Sequence, residues 1–546
     1  MTKRIWSRVL LMLLVAALVF TTACGGNSNT NTTAAATTAA AAGSTTAAAT
    51  TAAPSDEIPS ITWVLCAGKK TDNDMVMEHL SQYILEKINV NVTINNMENA
   101  DYKEKISVML STGQDIDMVT CNGSYGNPIA DMVKIEAIQP VTQYKDTLLA
   151  DAVAVLPENI WKDATYDNEI WGVPLYKNRV RNYDFIYNKT MAEAAGVQDQ
   201  MEALKWDWAP ELMEALYPIK EAVDNSGIPS APFLTQCWPA TTVRVFAAMD
   251  ILQGDNQKKA YASVNIDGEE AIPSQEFGKV YNLYGTEEYL EWCKLSWQWV
   301  QDGLIPADDM KNIDPDNAFK NNGELFAWTS SGLTDLDLHS VSPDFETILI
   351  RSTKAIGLAN ASNGVYCVPT ASDNVEEACK LMNLTNSDSY LSTSMRYGIE
   401  GTHWKWGEDG QVTVGFEGSR NADASNRGYY YWYGIEWGNL FIINPAKESA
   451  AATFVEDLRA LNEDGSTVSK YYGFIFDIAE VTEYVGAIDQ VVAQYFDQCG
   501  NGRLPTVEDI DATFDAFNQQ MEANGLAKVI EAAQAQLEAY AAANNL

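Results

Sequence analysis

The chain has 546 residues and carries 74 acidic against 36 basic side chains, a formal net charge of −38. Such a balance excludes nucleic acid, whose phosphates demand a basic face, and argues equally against anionic lipid headgroups as a target. Hydrophobic content of 46% with 20% charged residues is that of a globular protein, and about 490 residues beyond the first 56 are too many for one core, so two domains or more are expected.

The chain opens with Lys3, Arg4 and Arg8, an apolar run over 9–20 and Thr-Thr-Ala-Cys-Gly-Gly at 21–26. A basic start, a short apolar core and small residues make a secretory signal. The core is shorter than the roughly 20 residues that span a bilayer. The cysteine after the small residues resembles the lipobox of bacterial lipoproteins, which implies removal of a signal peptide over 1–23 and lipidation of Cys24. Thr21 stands where a lipobox usually carries Leu, and an ordinary secretory signal is the alternative. Residues 27–54 contain only Asn, Thr, Ala, Gly, Ser and Pro. Such a stretch buries too little apolar surface to offset its chain entropy, so 24–57 reads as a disordered tether.

The domain beyond opens on regular patterning. Residues 61–66 (ITWVLC) read as a strand. Val76, Leu80, Tyr83, Ile84 and Ile88 share a helical face over 72–88, with Asp72 as N-cap. Val90, Val92 and Ile94 alternate as a strand, 101–112 is a helix ended by Gly113, and 116–121 is a strand again. This βαβαβ order predicts a parallel sheet with helices on both faces, and ligands of such sheets bind at the carboxyl ends of the strands. The loops in that position are 67–71 and 122–127. WGVPLYKNRV at 171–180 reads as a strand near an edge, and YDFIYNK at 183–189 as the start of a second sheet. TEEYLEWCKLSWQWVQ at 286–301 is a helix with buried Trp, ended by Gly303, and ELFAWTSSG at 324–332 is strand-like. NGVYCVPT at 363–370 brings the chain back to the first sheet, ahead of a helix over 375–385. Residues 480–546 read as helices packed on a domain surface.

Beyond Cys24, seven cysteines (66, 121, 237, 293, 367, 379 and 499) are widely spaced, contain no CxxC and sit among apolar neighbours, as small buried hydrophobes do. His79, His339 and His403 are the whole histidine complement. Zinc sites and histidine-based triads have little to work with, so no catalytic residue, metal or cofactor is expected. The 15 Trp and 25 Tyr instead supply rings for the flat C–H faces of sugars, and crowd at 429–433, Trp437 and 403–406.

The runs PLYKNR…YDFIYNKT and NGVYCVPTAS…EEACKLMN, with the signal, tether and βαβαβ start, resemble family 1 extracellular solute-binding proteins. These maltose-binding-protein-like receptors serve ATP-driven sugar importers. YGIEGTHWKW at 397–406, WGNLFIINP at 437–445 and GFIFDIAEV at 473–481 resemble a clostridial and bacillus subgroup with a C-terminal helical extension. The resemblance implies an α/β, two-lobed, type II periplasmic-binding-protein-like fold with doubly wound sheets, a hinge and an interlobe cleft. Lobe 1 would take 58–180 and return over 356–425, lobe 2 would take 181–355, and 426–546 would be an interlobe and C-terminal helical region. The ligand would meet Lys69 or its neighbour Lys70 after the first strand, and Asn122, Ser124 and Tyr125 after the third. Gln236 and Trp238 would open the second lobe, with an amide where the family carries an acid. Trp328 and Ser330 would follow, then a late aromatic from Trp432, Tyr433 or Trp437. Tyr176 and Arg179 lie near the crossover, Arg179 being equally readable as an ion-pair partner.

The resemblance further implies an oligosaccharide or other small-molecule ligand and permease subunits as partners. It implies a monomer held by its lipid at the extracellular face of the membrane. A surface-anchored glycoside hydrolase, which needs only two carboxylates, stays open, as does a receptor for a non-sugar solute such as a peptide. The lack of internal repeats speaks against an adhesive surface protein.

Overall fold

Strand β1 (Ser60–Cys66) is apolar on both faces. Its odd-numbered residues Ile61, Trp63 and Leu65 enter one core cluster, and Val64 and Cys66 enter another on the opposite face. In this computed structural model the described residues are 58–546. Left out are 167, 178–179, 182–183, 205–209, 229–232, 237–248, 254–256, 267–271, 309, 314–318, 320–321, 331–344, 351–355, 358–363, 408–409, 424–425, 432–436, 448–452, 464–468, 472 and 475. Cys24, Arg179, Trp238, Trp432 and Tyr433 therefore lie outside the described residues, as do the side chains of Ser124, Gln236 and Ser330.

Helix α1 (Asn73–Ile88) covers one face of β1 with Val76, Leu80 and Ile84. Helix α2 (Asn99–Ser111) covers the other with Tyr102, Ile106 and Leu110. Strand β2 (Asn91–Met97) runs parallel to β1 and buries Val92 and Ile94 on the α1 side. Strand β3 (Val119–Cys121) lies on the other side of β1, joined by a parallel bridge between Trp63 and Met118. The expected parallel βαβαβ unit is present. The strand Val365–Pro369 returns antiparallel to β3 and also pairs with Gly172–Pro174. A Cβ on Gly172 would sit 2.0 Å from the Tyr366 carbonyl oxygen, so this pairing admits only glycine there.

The second sheet runs in the order Leu234–Gln236, Ala327–Ser330, Asp184–Asn188, Thr347–Ile350. Its first pair is parallel and the other two are antiparallel. Phe185 and Tyr187 enter a large core with Trp292 and Trp299 of the helix Glu287–Gln301.

That large core is completed by the end of the chain. The helices Thr482–Gly500, Glu508–Ala523 and Leu526–Asn544 insert Ile488, Val492, Phe496, Phe517, Met521, Val529 and Leu537 into it. Trp292 Nε1 donates to the Gly500 carbonyl at 2.9 Å, and Trp297 Nε1 to that of Leu504 at 3.0 Å. Each helix turns one apolar face into this core and leaves its other residues half-buried or exposed, as helices packed on a domain surface do. Tyr429, Tyr431, Trp437, Phe441, Phe454 and Leu458 instead join the core of the first sheet. The region 426–546 is thus shared between the two cores. Six cysteines, at 66, 121, 293, 367, 379 and 499, are buried free thiols.

Candidate functional site

The carboxyl ends of β1 and β2 meet at one point. Glu98, just past β2, accepts the Lys69 backbone N–H at 3.0 Å. A Cβ on Gly68 would lie 2.6 Å from Glu98 Oε2, so the absent side chain of Gly68 is what lets that carboxylate fold over the loop. Tyr431 donates its hydroxyl to the Gly68 carbonyl. The Lys70 ammonium stands 4.6 Å from the centre of the Tyr431 ring, a cation–π pair. Beneath them, Asn96 Nδ2 donates to Asn73 Oδ1 at 2.9 Å, while the buried Asn96 Oδ1 has no partner among the described residues.

Lys70 is exposed to solvent, yet the crowding of protein around it lowers its pKa, partly offset by the Glu98 charge. Lys70 thus stands at the solvent edge of the wall made by this loop, Glu98 and Tyr431. Tyr431 is 3% exposed, and burial pushes its phenol well up, so it stays a neutral donor. The wall therefore brings together a cation, an anion, amides and an aromatic ring from three distant parts of the chain.

A second network holds this wall in place. Asp72 occupies the N-cap position of α1 but makes no capping hydrogen bond. Its carboxylate is taken by the Arg420 guanidinium and by His403 Nε2 at 3.2 Å. The Arg420 hydrogen bond leads in holding Asp72 below the usual carboxylate range. His403 Nδ1 accepts the Ile399 backbone N–H at 3.1 Å, so the ring proton sits on Nε2 and points at Asp72. Burial lowers the His403 pKa and keeps the ring neutral. With both ring nitrogens engaged and no exposed surface, His403 is a clamp and not a general base. Asp72 N–H also donates to the Gly428 carbonyl at 2.9 Å.

Of the residues singled out from sequence, Lys69 lies on this wall with its side chain exposed. Asn122 is buried at the end of β3, and its carbonyl accepts the Tyr125 N–H at 3.0 Å. Tyr125 is half-buried, its ring edge-on to Tyr102 at 5.7 Å. Tyr176 is buried at 4.1 Å from the Phe441 ring, and its backbone pairs with 438–440 through Gly438 and Leu440. Trp437 is 1% exposed and packs on Tyr431 at 4.3 Å. Trp328, also 1% exposed, faces Ile186 and Leu325 in a small apolar cluster on the far side of the second sheet. Both tryptophans are placed as packing residues, Trp437 serving as the support behind Tyr431. Sequence reasoning missed Asn96, Glu98 and Tyr431. The carboxyl-end rule that singled out the loops after β1 and β3 applies equally to β2, and would have found the first two.

Residues 70–390, more than half of the chain, match the family model described as bacterial extracellular solute-binding protein. The chain belongs to this family. Residues 470–542 match a domain of unknown function. A carbohydrate ABC transporter substrate-binding protein of Streptococcus pneumoniae is 21% identical over 490 residues, covering 87% of this solute-binding protein and 89% of that one. The crystal structure of the N-glycan transport solute-binding protein NgtS from Streptococcus pneumoniae superposes with a TM-score of 0.71 at 19% identity, over 88% of this chain and 99% of that chain. An extracellular solute-binding protein from Bifidobacterium longum subsp. infantis superposes with a TM-score of 0.61 at 15% identity, over 89% and 99%. The fold is the two-lobed type II solute-binding fold, as expected, with the C-terminal helices as part of it. Among the described residues no helix is long and apolar enough to cross a membrane, and no group of His, Cys, Asp or Glu is placed to hold a metal ion.

Proposed function

We propose that this solute-binding protein captures an oligosaccharide between its lobes and delivers it to the permease subunits of an ABC importer. The observation that carries the reading is the wall formed by Lys70, Glu98, Asn96 and Tyr431 at the carboxyl ends of β1 and β2. Sugar hydroxyls both donate and accept, and this wall provides both roles beside a ring. The names of the pneumococcal relatives, one a carbohydrate transporter component and one solved with Man5GlcNAc, support the same class of ligand.

In this reading Lys69, Lys70 and Tyr125 contact the ligand from the first lobe. Gln236, Trp238 and Ser330 contact it from the second, with Trp432 or Tyr433 as the late aromatic. Asn122, Tyr176 and Trp437 act from behind. The protein works as a monomer without catalysis. Cys24 carries the lipid, and the residues up to 57 tether the receptor at the outer face of the cell membrane.

The test is thermal denaturation of residues 57–546 against a panel of oligosaccharides that includes Man5GlcNAc, with chromatography of the sugar recovered afterwards. A ligand at about 100 times its dissociation constant adds about 2.7 kcal/mol to stability, and it should be recovered intact. Cleavage of the sugar would establish a glycoside hydrolase instead. Stabilisation by peptides but by no sugar would overturn the carbohydrate assignment.

A further inference from the structure

We infer that the C-terminal segment matched to a domain of unknown function is a clasp between the lobes, closed by the ion pair Asp477–Lys134. The inference rests on the two-lobed receptor reading and adds a role for residues 470–542.

The segment belongs bodily to the second lobe. Phe474 and Phe476 are buried in its core, together with the three helices that follow. Gln534 Oε1 accepts the Val280 N–H at 2.7 Å, and its Nε2 donates to the Gly278 carbonyl at 3.0 Å. Asn518 Nδ2 donates to the Tyr284 carbonyl at 2.9 Å. An element tied this way moves with the second lobe.

Its leading edge nevertheless touches the first. Asp477 Oδ2 lies 2.7 Å from Lys134 Nζ, and Lys134 ends helix α3 (Ile129–Lys134), whose Met132 is buried in the first-lobe core. Four residues earlier, Gly473 lies against Lys162: a Cβ built there would be 4.0 Å from that side chain. Lys162 sits in the turn Glu158–Ala164, anchored in the first lobe by Ile160 and Trp161.

Asp477 is held for this reach. Gln536 of the last helix grips its backbone twice, Oε1 accepting the N–H and Nε2 donating to the carbonyl, each at 2.8 Å. The Ala479 N–H donates to the other carboxylate oxygen at 3.0 Å. On the far side, a cation at the carboxyl end of a helix is favoured by its dipole. The pair shifts both partners as an engaged ion pair should, Lys134 upward and Asp477 downward, each led by the hydrogen bond between them.

Lobe closure on a ligand is a rotation about the crossover segments. A contact carried by one lobe and met by the other biases that equilibrium by whatever it is worth in one arrangement and not the other. Both partners are partly exposed, so they can be replaced without unfolding either core.

The test uses Lys134→Asp, Asp477→Lys and the double swap. Spin labels at Glu104→Cys and Glu287→Cys, exposed positions on α2 and on the helix Glu287–Gln301, report the distance between lobes. Each single reversal should change the distance distribution in the absence of sugar, and the double swap should restore it. Affinity for Man5GlcNAc should move by about two- to five-fold, the range of an exposed ion pair. A wider mean distance should go with weaker binding, and a narrower one with tighter binding. The difference should vanish in 1 M NaCl, where the Debye length is about 3 Å. Unchanged distances in both single variants would overturn the clasp, as would changes that the double swap fails to reverse. If Man5GlcNAc does not bind, the glycan arm fails while the distance measurement still decides the clasp.

Discussion

The two cores are built from the chain in different ways. The first starts locally, with β1, α1, β2, α2 and β3 following one another within 60–121, and is completed by residues no later than Leu458. The second is gathered from distant pieces, with strands at 184–188, 234–236, 327–330 and 347–350 closed over by helices that end at residue 544. The first should therefore tolerate loss of the chain end, while the second depends on the last residues to be made.

Deleting residues 470–546 tests this at its largest. The deletion removes Ile488, Phe496, Phe517, Met521, Val529 and Leu537 together from one core. Each such loss costs about 2–5 kcal/mol and a whole domain has about 5–15 kcal/mol of stability. The second lobe should unfold, and limited proteolysis should cut within 184–350 while 60–121 stays protected. Equal cleavage in both would show that the cores are not separable.

A single ring sharpens the same contrast. Phe517 packs against Tyr284 at 5.2 Å and Tyr495 at 5.3 Å, and Trp63 packs edge-on to Tyr366 at 5.6 Å. Phe517→Ala and Trp63→Ala should each cost about 3–5 kcal/mol in denaturant unfolding. Their effects should add to within about 0.5 kcal/mol in the double variant, because the cores share no partner. A larger coupling would mean that the two cores interact energetically.

A smaller effect is expected at the clamp of the first lobe. A Cβ on Gly428 would fall 2.0 Å from Asp72 Oδ2. Gly428→Ala must displace the carboxylate from Arg420 and His403, and should cost about 1–3 kcal/mol. It should also weaken sugar binding, since Asp72 sits two residues from Lys70. Unchanged stability and affinity would remove the clamp from the account.

The mildest contrast is in pH. His79 and His403, both with pKa values lowered chiefly by burial, belong to first-lobe elements. In the unfolded chain each titrates near 6.5, so on acidification the unfolded state takes up protons first. First-lobe stability is then complete above pH 6.5 and falls as the pH drops toward the lowered folded values. Asp72, lowered by Arg420, adds a further loss below pH 3.8. Unfolding followed at first-lobe amides should show the first decline as the pH falls below 6.5, and His403→Gln should flatten it. A decline of equal size in the second lobe would exclude this cause.

The same contrast governs how much was legible. Strand β2 could be read because the alternation of Val92 and Ile94 is a local signal, as could α1 from Val76, Leu80 and Ile84. Part of the candidate site was legible for a related reason: β-strand order pointed to the loops 67–71 and 122–127, and the family resemblance to Lys69, Lys70 and Tyr125 within them. Tyr431 was not legible. It stands among five consecutive aromatic residues, and nothing local tells a ring that meets Gly68, more than 360 residues away, from one that packs inward. Trp437 and Trp328 are the converse: the family resemblance offered them as ligand contacts, and their neighbours bury them. Asp72 carried a sound N-cap signal, but Arg420 wins its carboxylate with charge and His403 with a hydrogen bond from its neutral ring.

The sequence alone determined the βαβαβ start and the helical chain end, because each is written in adjacent residues at a fixed period. Tertiary structure decided that the last helices complete the second core, that Tyr431 backs Lys70, and that Asp477 reaches Lys134. Each of these joins residues far apart in the chain, and such pairings are set by how whole faces pack, which no local period encodes.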